Sequence, residues 1–223
     1  MDIKELSHFL VYKYYEIRSK KQKELFSNKN VNIEDVDYVF QQKHVQVAVG
    51  RYKEYKVLFF MGSNQLIDWI YNFNFPFTKT PYKETGTNEK IKIHSGFYKS
   101  YLLVRENIHE IVLENKKLII MGQSFGASIA SIASLDIAYN FNNLDLYTIT
   151  TGSPRFGNKC LIESYNKRVP NTIRYVYGND LVTHLPPKFL GFRHVDGLHH
   201  LGKEKLVPNI CDHFYTNGYL KEL

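Results

Sequence analysis

Cysteine is scarce in this chain: Cys160 and Cys211 are the only two among 223 residues. A disulfide-stapled scaffold is therefore excluded, while a single bridge between these two stays open. No apolar run reaches membrane-spanning length. The opening residues Met1-Asp2-Ile3-Lys4-Glu5-Leu6 lead to Lys20-Lys21-Gln22-Lys23 without the hydrophobic core of a signal peptide, so an intracellular, cytoplasmic location is expected. Internal repeats and low-complexity segments are missing, and a hydrophobic share of 43% with 15% aromatics excludes a disordered chain. Lys and Arg outnumber Asp and Glu, 29 to 22, for a formal charge of +7, yet no Lys/Arg block is found. Nucleic acid is accordingly not an expected partner, and the scattered charge fits weak attraction to an anionic lipid surface. The length suits one domain over residues 1–223, opened by a helical segment at about 1–30.

What is present centres on Lys117 to Leu135. The apolar run Lys117-Leu118-Ile119-Ile120-Met121 has strand length, Gly122-Gln123-Ser124-Phe125-Gly126 is a Gly-x-Ser-x-Gly turn, and Ala127-Ser128-Ile129-Ala130-Ser131-Ile132-Ala133 is free of proline and suits a helix. Strand, sharp turn and helix are the context that gives such a motif chemical meaning, because the serine is then raised at a strained backbone angle above a sheet. Its hydroxyl would face a cleft at a helix N-terminus, where backbone N–H groups can stabilise an oxyanion. In a loop without that context the same letters would mark only a turn.

The flanking segments supply the rest of an α/β pattern. Leu6, Phe9, Leu10, Tyr14 and Ile17 recur at helical spacings between Ile3 and Phe26, and Ser27-Asn28-Lys29-Asn30 forms a turn. Val45 to Val49 alternates as a strand that Gly50 interrupts, and Tyr55 to Phe60 resumes it as a hairpin partner. Leu66-Ile67-Asp68-Trp69-Ile70-Tyr71 is apolar on nearly every side and continues into Phe73, Phe75 and Phe77. A core helix and a lid over an apolar cleft both fit it. Thr78 to Glu89 reads as an exposed loop. Phe97, Tyr101, Val104, Ile108 and Ile111 trace one buried stripe of a helix opening at His94-Ser95. Strands follow at Leu144 to Thr150 and at Thr172 to Tyr177, and a short one is expected within Gly191 to Asp196. The alternation of strand and helix predicts a mostly parallel central sheet flanked by helices.

A serine nucleophile needs an imidazole to take its proton and a carboxylate to orient that imidazole. Asp180, in Gly178-Asn179-Asp180, lies just past the C-terminal end of a predicted strand, on the edge where open parallel sheets build their sites. An ordinary Asx turn is the plainer reading of the same residue. Five histidines follow Ser124: His184, His194, His199, His200 and His213. His184 is too close to Asp180 in sequence to meet it across a cleft. His194, His199 and His200 match no zinc spacing, and no metal or organic cofactor is expected. His213 is the best base by chain order and by its place in a late loop.

Several blocks in the right order together resemble the class 3 lipases, the α/β-hydrolase family of fungal triacylglycerol lipases. They are Phe59-Phe60-Met61-Gly62-Ser63 with Asp68-Trp69-Ile70, Ile93-His94-Ser95-Gly96-Phe97, the Ser124 block, Thr151-Gly152-Ser153-Pro154-Arg155-Phe156-Gly157-Asn158, and Gly178-Asn179-Asp180 through His184-Leu185-Pro186-Pro187. The resemblance runs from about His44 to Tyr215. It implies Ser124 as nucleophile, Asp180 as orienting acid and His213 as base, with an oxyanion hole from the Phe125 N–H and from Ser63. It also implies a lid or acyl-binding segment in Leu66, Ile67, Trp69, Ile70 and Phe73. The chain departs from the family at Gln123, Phe125 and Met61, where His, Leu and Arg are usual. The implied activity is hydrolysis of lipid carboxylic esters through an acyl-enzyme, with transient contact at a membrane or lipid-droplet surface. Phospholipase A-type action, soluble-ester hydrolysis and a catalytically silent lipid-binding or partner-binding role are the alternatives.

Overall fold

The computed structural model describes residues 36–62, 76–82, 90–214 and 218–222. Its apolar segments are gathered into a seven-stranded sheet built from β1 (Val36–Gln42), β2 (Val45–Tyr52), β3 (Tyr55–Phe60), β6 (Lys117–Gln123), β7 (Asp145–Thr151), β8 (Thr172–Tyr177) and β9 (Leu198–Leu201), in the order β1-β2-β3-β6-β7-β8-β9. The first three strands are antiparallel, and β3, β6, β7, β8 and β9 are parallel. A separate antiparallel pair joins β4 (Phe77–Lys79) to β5 (Lys92–His94).

The central strands read as continuous apolar runs because both faces of the sheet are covered. Leu58, Phe60, Leu118 and Ile120 enter the larger core, while Val57, Phe59, Ile119 and Met121 enter the smaller one behind the sheet. Each such side chain contributes about 2 kcal/mol by leaving water. The larger core is filled by α1 (Ser95–Leu102), α2 (Arg105–Glu114), α3 (Phe125–Asn140) and α4 (Lys159–Arg168). Helix α3 is buried from Phe125 to Ile137, and it is apolar or small at every position of that stretch but Asp136. Two of its buried hydroxyls are satisfied within the helix, Ser131 donating to the Ala127 carbonyl and Ser134 to that of Ala130, while Ser128 donates to the Pro154 carbonyl at 3.3 Å.

A buried carboxylate ties the helical layer together. Asp136 of α3 accepts hydrogen bonds from the hydroxyls of Tyr82 (2.7 Å) and Tyr101 (2.6 Å), from Arg105 Nε (3.0 Å) and from His109 Nε2 (2.6 Å). Burial alone would raise its pKa, but these bonds and the Arg105 charge hold it below the ordinary carboxylate value.

Several expectations are corrected here. Gly50 does not end β2; it pairs with Val36 on one side and Val57 on the other, so the strand runs through it to Tyr52. The stripe from Phe97 to Ile111 is buried throughout but spans two helices, because Val104 (φ −115°) breaks the chain between α1 and α2. The Gly191–Asp196 segment is not a strand. Arg193 makes a single bridge to Gly157, and the edge strand lies at β9 instead. Thr78 and Lys79 belong to β4 rather than to a loop. No disulfide joins Cys160, which is buried, to Cys211, which is exposed. The expected helix over Ile3 to Phe26 and its Asn-rich turn lie outside the described residues.

Candidate active site

Ser124 sits at the joint between β6 and α3, where a strand must turn into a helix within one residue. It takes φ 56° and ψ −126°, a backbone conformation that costs a residue with a Cβ about 1–2 kcal/mol. The neighbouring glycines make the turn physically feasible. A Cβ on Gly122 would lie 2.4 Å from the Gly126 carbonyl oxygen, and one on Gly126 would lie 2.3 Å from that of Phe60. The turn is anchored to the next strand by the Ser124 N–H, which donates to the Thr151 carbonyl at 2.9 Å.

Asp180 follows β8 and caps a short 3-10 helix, Leu181–His184, accepting from the Val182 N–H at 2.9 Å. His213 ends another, Ile210–His213, which Asn209 caps. The two loops are joined by a parallel bridge between Asp180 and Asn209. The structure brings Ser124, His213 and Asp180 into one hydrogen-bonded line. His213 Nε2 is 2.8 Å from Ser124 Oγ, and His213 Nδ1 is 2.8 Å and 3.0 Å from the two Asp180 carboxylate oxygens. A carboxylate that accepts a hydrogen bond from Nδ1–H leaves Nε2 as the acceptor facing the serine. All three are almost fully buried, at 3%, 2% and 0% exposure for Ser124, His213 and Asp180, so their interactions are little screened by water.

Two supporting residues were not legible beforehand. The Tyr219 hydroxyl donates to Asp180 Oδ2 at 2.8 Å. Asp212 accepts from the Asn179 N–H at 3.0 Å and from Lys205, so the residue beside the imidazole is held to the residue beside its carboxylate. The adjacency Asp212-His213 was visible in the sequence, but nothing pointed to Tyr219.

Phe125 begins α3, with its ring 5.7 Å from that of Phe97 and 5.9 Å from that of His44. Ser63 and the segment bearing Leu66, Ile67, Trp69, Ile70 and Phe73 lie outside the described residues. His184 bonds to Asn179 Oδ1 and not to Ser124. His194 and His200 bond to the carbonyls of Thr183 and Gly178, and the His199 ring lies 5.7 Å from that of Tyr175. Motif residues around the site act as clamps. His94 accepts from the Phe97 N–H at the start of α1, Asn158 accepts from Leu161 and Lys92, and Arg155 donates to the carbonyls of His184 and Pro186. Among the described residues no helix is long and apolar enough to cross a membrane.

Comparison with known proteins places this geometry in a wider context. The chain is 31% identical over 66% of its length to a secreted mono- and diacylglycerol lipase of Fusarium solani, covering 44% of that protein. A chloroplastic phospholipase A(1) of Arabidopsis thaliana is 29% identical over 64% of the chain, which covers 36% of it. The chain thus spans less than half the length of these relatives. In fold it is similar to the triacylglyceride lipase of Rhizomucor miehei, with a TM-score of 0.71 and 21% identity over 80% of this chain and 78% of that one. It is also similar to a mutant MDLA of Penicillium cyclopium, with a TM-score of 0.72 and 24% identity over 93% and 83%. Residues 57–190, more than half of the chain, match the family described as Lipase (class 3), a span that holds both Ser124 and Asp180. The chain, a mostly parallel α/β fold with a serine at the turn between β6 and α3, belongs to the class 3 lipase family.

Proposed function

We propose that this protein is a serine hydrolase that cleaves carboxylic esters of lipids through an acyl-enzyme. The observation that carries the reading is the buried line from Ser124 Oγ through His213 to Asp180. Ser124 attacks the ester carbonyl while its proton passes to His213 Nε2. The imidazolium then gives that proton to the leaving alcohol, and water, deprotonated by the same imidazole, releases the acid. Asp180 holds the imidazole in the required tautomer and stabilises its charge. The N–H of Phe125, at the positive end of α3, and Ser63 serve as oxyanion donors, and the Leu66 to Phe73 segment contacts acyl chains. Residues 1–223 act as one domain in this reading, at an intracellular location, although the Fusarium relative is named as secreted.

The lipid substrate is supported by the names of the relatives, and the Arabidopsis relative favours a second reading as a phospholipase A. The test is hydrolysis of p-nitrophenyl esters of short and long acyl chains by the wild type, Ser124→Ala and His213→Ala. Both variants should fall by several orders of magnitude while remaining folded. A folded wild type that neither turns over any ester nor reacts with a fluorophosphonate at Ser124 would make it a silent binding protein. Parallel assays on diacylglycerol and phosphatidylcholine separate the two lipid readings.

A further inference from the structure

Away from the serine, a cavity of about 370 Å³ opens between β8, β9 and the loop bearing Asp180. Two guanidiniums line it, those of Arg155 and Arg174, and each residue is only 6% exposed. Arg155 spends one nitrogen on the carbonyls of His184 and Pro186, while its buried Nε meets no acceptor among the described residues. Arg174 Nε donates to the Val195 carbonyl at 3.3 Å. Among the described residues neither forms an ion pair. Burial, with Arg193 beside one and Arg155 beside the other, pushes both down to about 10.

A buried guanidinium bonded only to neutral carbonyls is a costly arrangement, and two side by side compound the cost. The remaining wall adds to the positive charge instead of cancelling it. Lys188 and Lys205 line the cavity at exposed positions, and Glu204 is the one carboxylate among the described lining residues. Asp196, within electrostatic reach of Arg174, is bonded to Asn166. Lys205 is already paired with Asp212, which leaves Arg155, Arg174 and Lys188 against Glu204. A site with that surplus suits a dianion better than a carboxylate. Planar guanidiniums and an ammonium group can together engage the three free oxygens of a phosphomonoester.

We propose that this cavity is a second ligand site, which binds the phosphate group of a phosphomonoester. The room beyond one phosphate, lined by Val176 and Leu198, accommodates the attached organic group. A soluble phosphomonoester and the headgroup of phosphatidic acid present the same chemistry. The fully exposed Leu206 and the 86% exposed Phe189, next in sequence to Lys205 and Lys188, would let the site work at a lipid surface. The wall shares Gly178, Asn179 and Thr183 with the Asp180 loop, so an occupant would brace the segment that carries the acid.

The test uses the full chain, with glycerol 3-phosphate titrated by calorimetry and flotation with vesicles of phosphatidylcholine containing either phosphatidic acid or phosphatidylserine. Saturable binding of glycerol 3-phosphate, or capture by phosphatidic acid in preference to phosphatidylserine, is expected. Lys188→Glu should weaken it by about tenfold or more, since it reverses a charge at the site. Lys188 is exposed, so this variant can be checked for an unaltered melting temperature, whereas Arg174→Gln combines loss of binding with a risk to folding. Lys116→Glu, the same charge change at the opposite end of the parallel strands, should leave binding intact. Which of the two ligands binds identifies the source of the phosphate. Absence of both kinds of binding, or binding weakened equally by Lys188→Glu and Lys116→Glu, overturns the proposal.

Discussion

Gly152 offers the sharpest test of how the acid and base are positioned. It follows β7 with φ +57°, and a Cβ there would stand 2.9 Å from Asp180 Oδ2, 2.9 Å from His213 Cε1 and 3.0 Å from His213 Nδ1. Carbon needs about 3.5 Å from such neighbours, so Gly152→Ala demands a shift of roughly half an ångström from one of them. Asp180 cannot yield freely, because Oδ2 holds Tyr219 and His213 while Oδ1 holds the Val182 N–H. Giving up one hydrogen bond to a charged group costs about 1.5–3 kcal/mol, and the left-handed backbone costs alanine about 1–2 kcal/mol. The melting temperature should therefore fall by roughly 5–15 °C. Displacement of the acid-base pair should lower kcat by about 10- to 100-fold, with KM nearly unchanged. Gly191→Ala is the control. It has φ +91°, but its nearest neighbour is Phe77 at 3.7 Å, so it should lose stability and keep kcat. Ester hydrolysis below the melting temperature reads both variants. A folded Gly152→Ala enzyme with wild-type kcat would refute the positional argument.

Tyr219→Phe removes one donor from Asp180 and should reduce kcat/KM about tenfold without abolishing fluorophosphonate labelling of Ser124; an unchanged pH-rate profile and rate would show the hydroxyl to be dispensable. Asp136→Asn breaks the knot among Tyr82, Tyr101, Arg105 and His109, at a cost of about 3 kcal/mol in urea unfolding, while hydrolysis by the folded variant stays within twofold of wild type. His94 is held down to about 4 by burial, against 6.5 for the free side chain. Between these pH values the unfolded chain binds a proton that the folded chain refuses, so stability should decline as pH falls from about 6.5 to 4, by at most about 3 kcal/mol. His94→Asn keeps an acceptor for the Phe97 N–H and should flatten that decline; an equally steep curve would place its origin elsewhere.

The parts of the fold that could be read in advance are those whose signal is local. The run from Leu118 to Met121 is apolar at every position because both of its faces are buried, and the Ser124 turn carries glycines that close contacts require. Strand β8 was read at its observed bounds for the same reason. The misses are tertiary. Strand β9, Leu-His-His-Leu, is half exposed or exposed along its length, and only parallel pairing with β8 makes it a strand. The break between α1 and α2 left no mark, since Val104 keeps the apolar stripe in phase through it. His213 and Asp180, which the structure sets in line with Ser124, were accessible through chain order and a strand end, whereas Tyr219 reaches Asp180 across 39 positions with no motif around it.

The parallel bridge between Asp180 and Asn209 bears on when the chain becomes chemically competent. Strands β3, β6, β7, β8 and β9 lie side by side in the order in which they are synthesised, and the serine turn is anchored to β7. The imidazole bonded to Ser124, that of His213, comes 89 positions after it, beyond the last described strand. Under the proposed function, a nascent chain would therefore display its nucleophile long before it could activate it. On that reading, reactivity toward esters waits until the loop bearing His213 docks on the finished sheet.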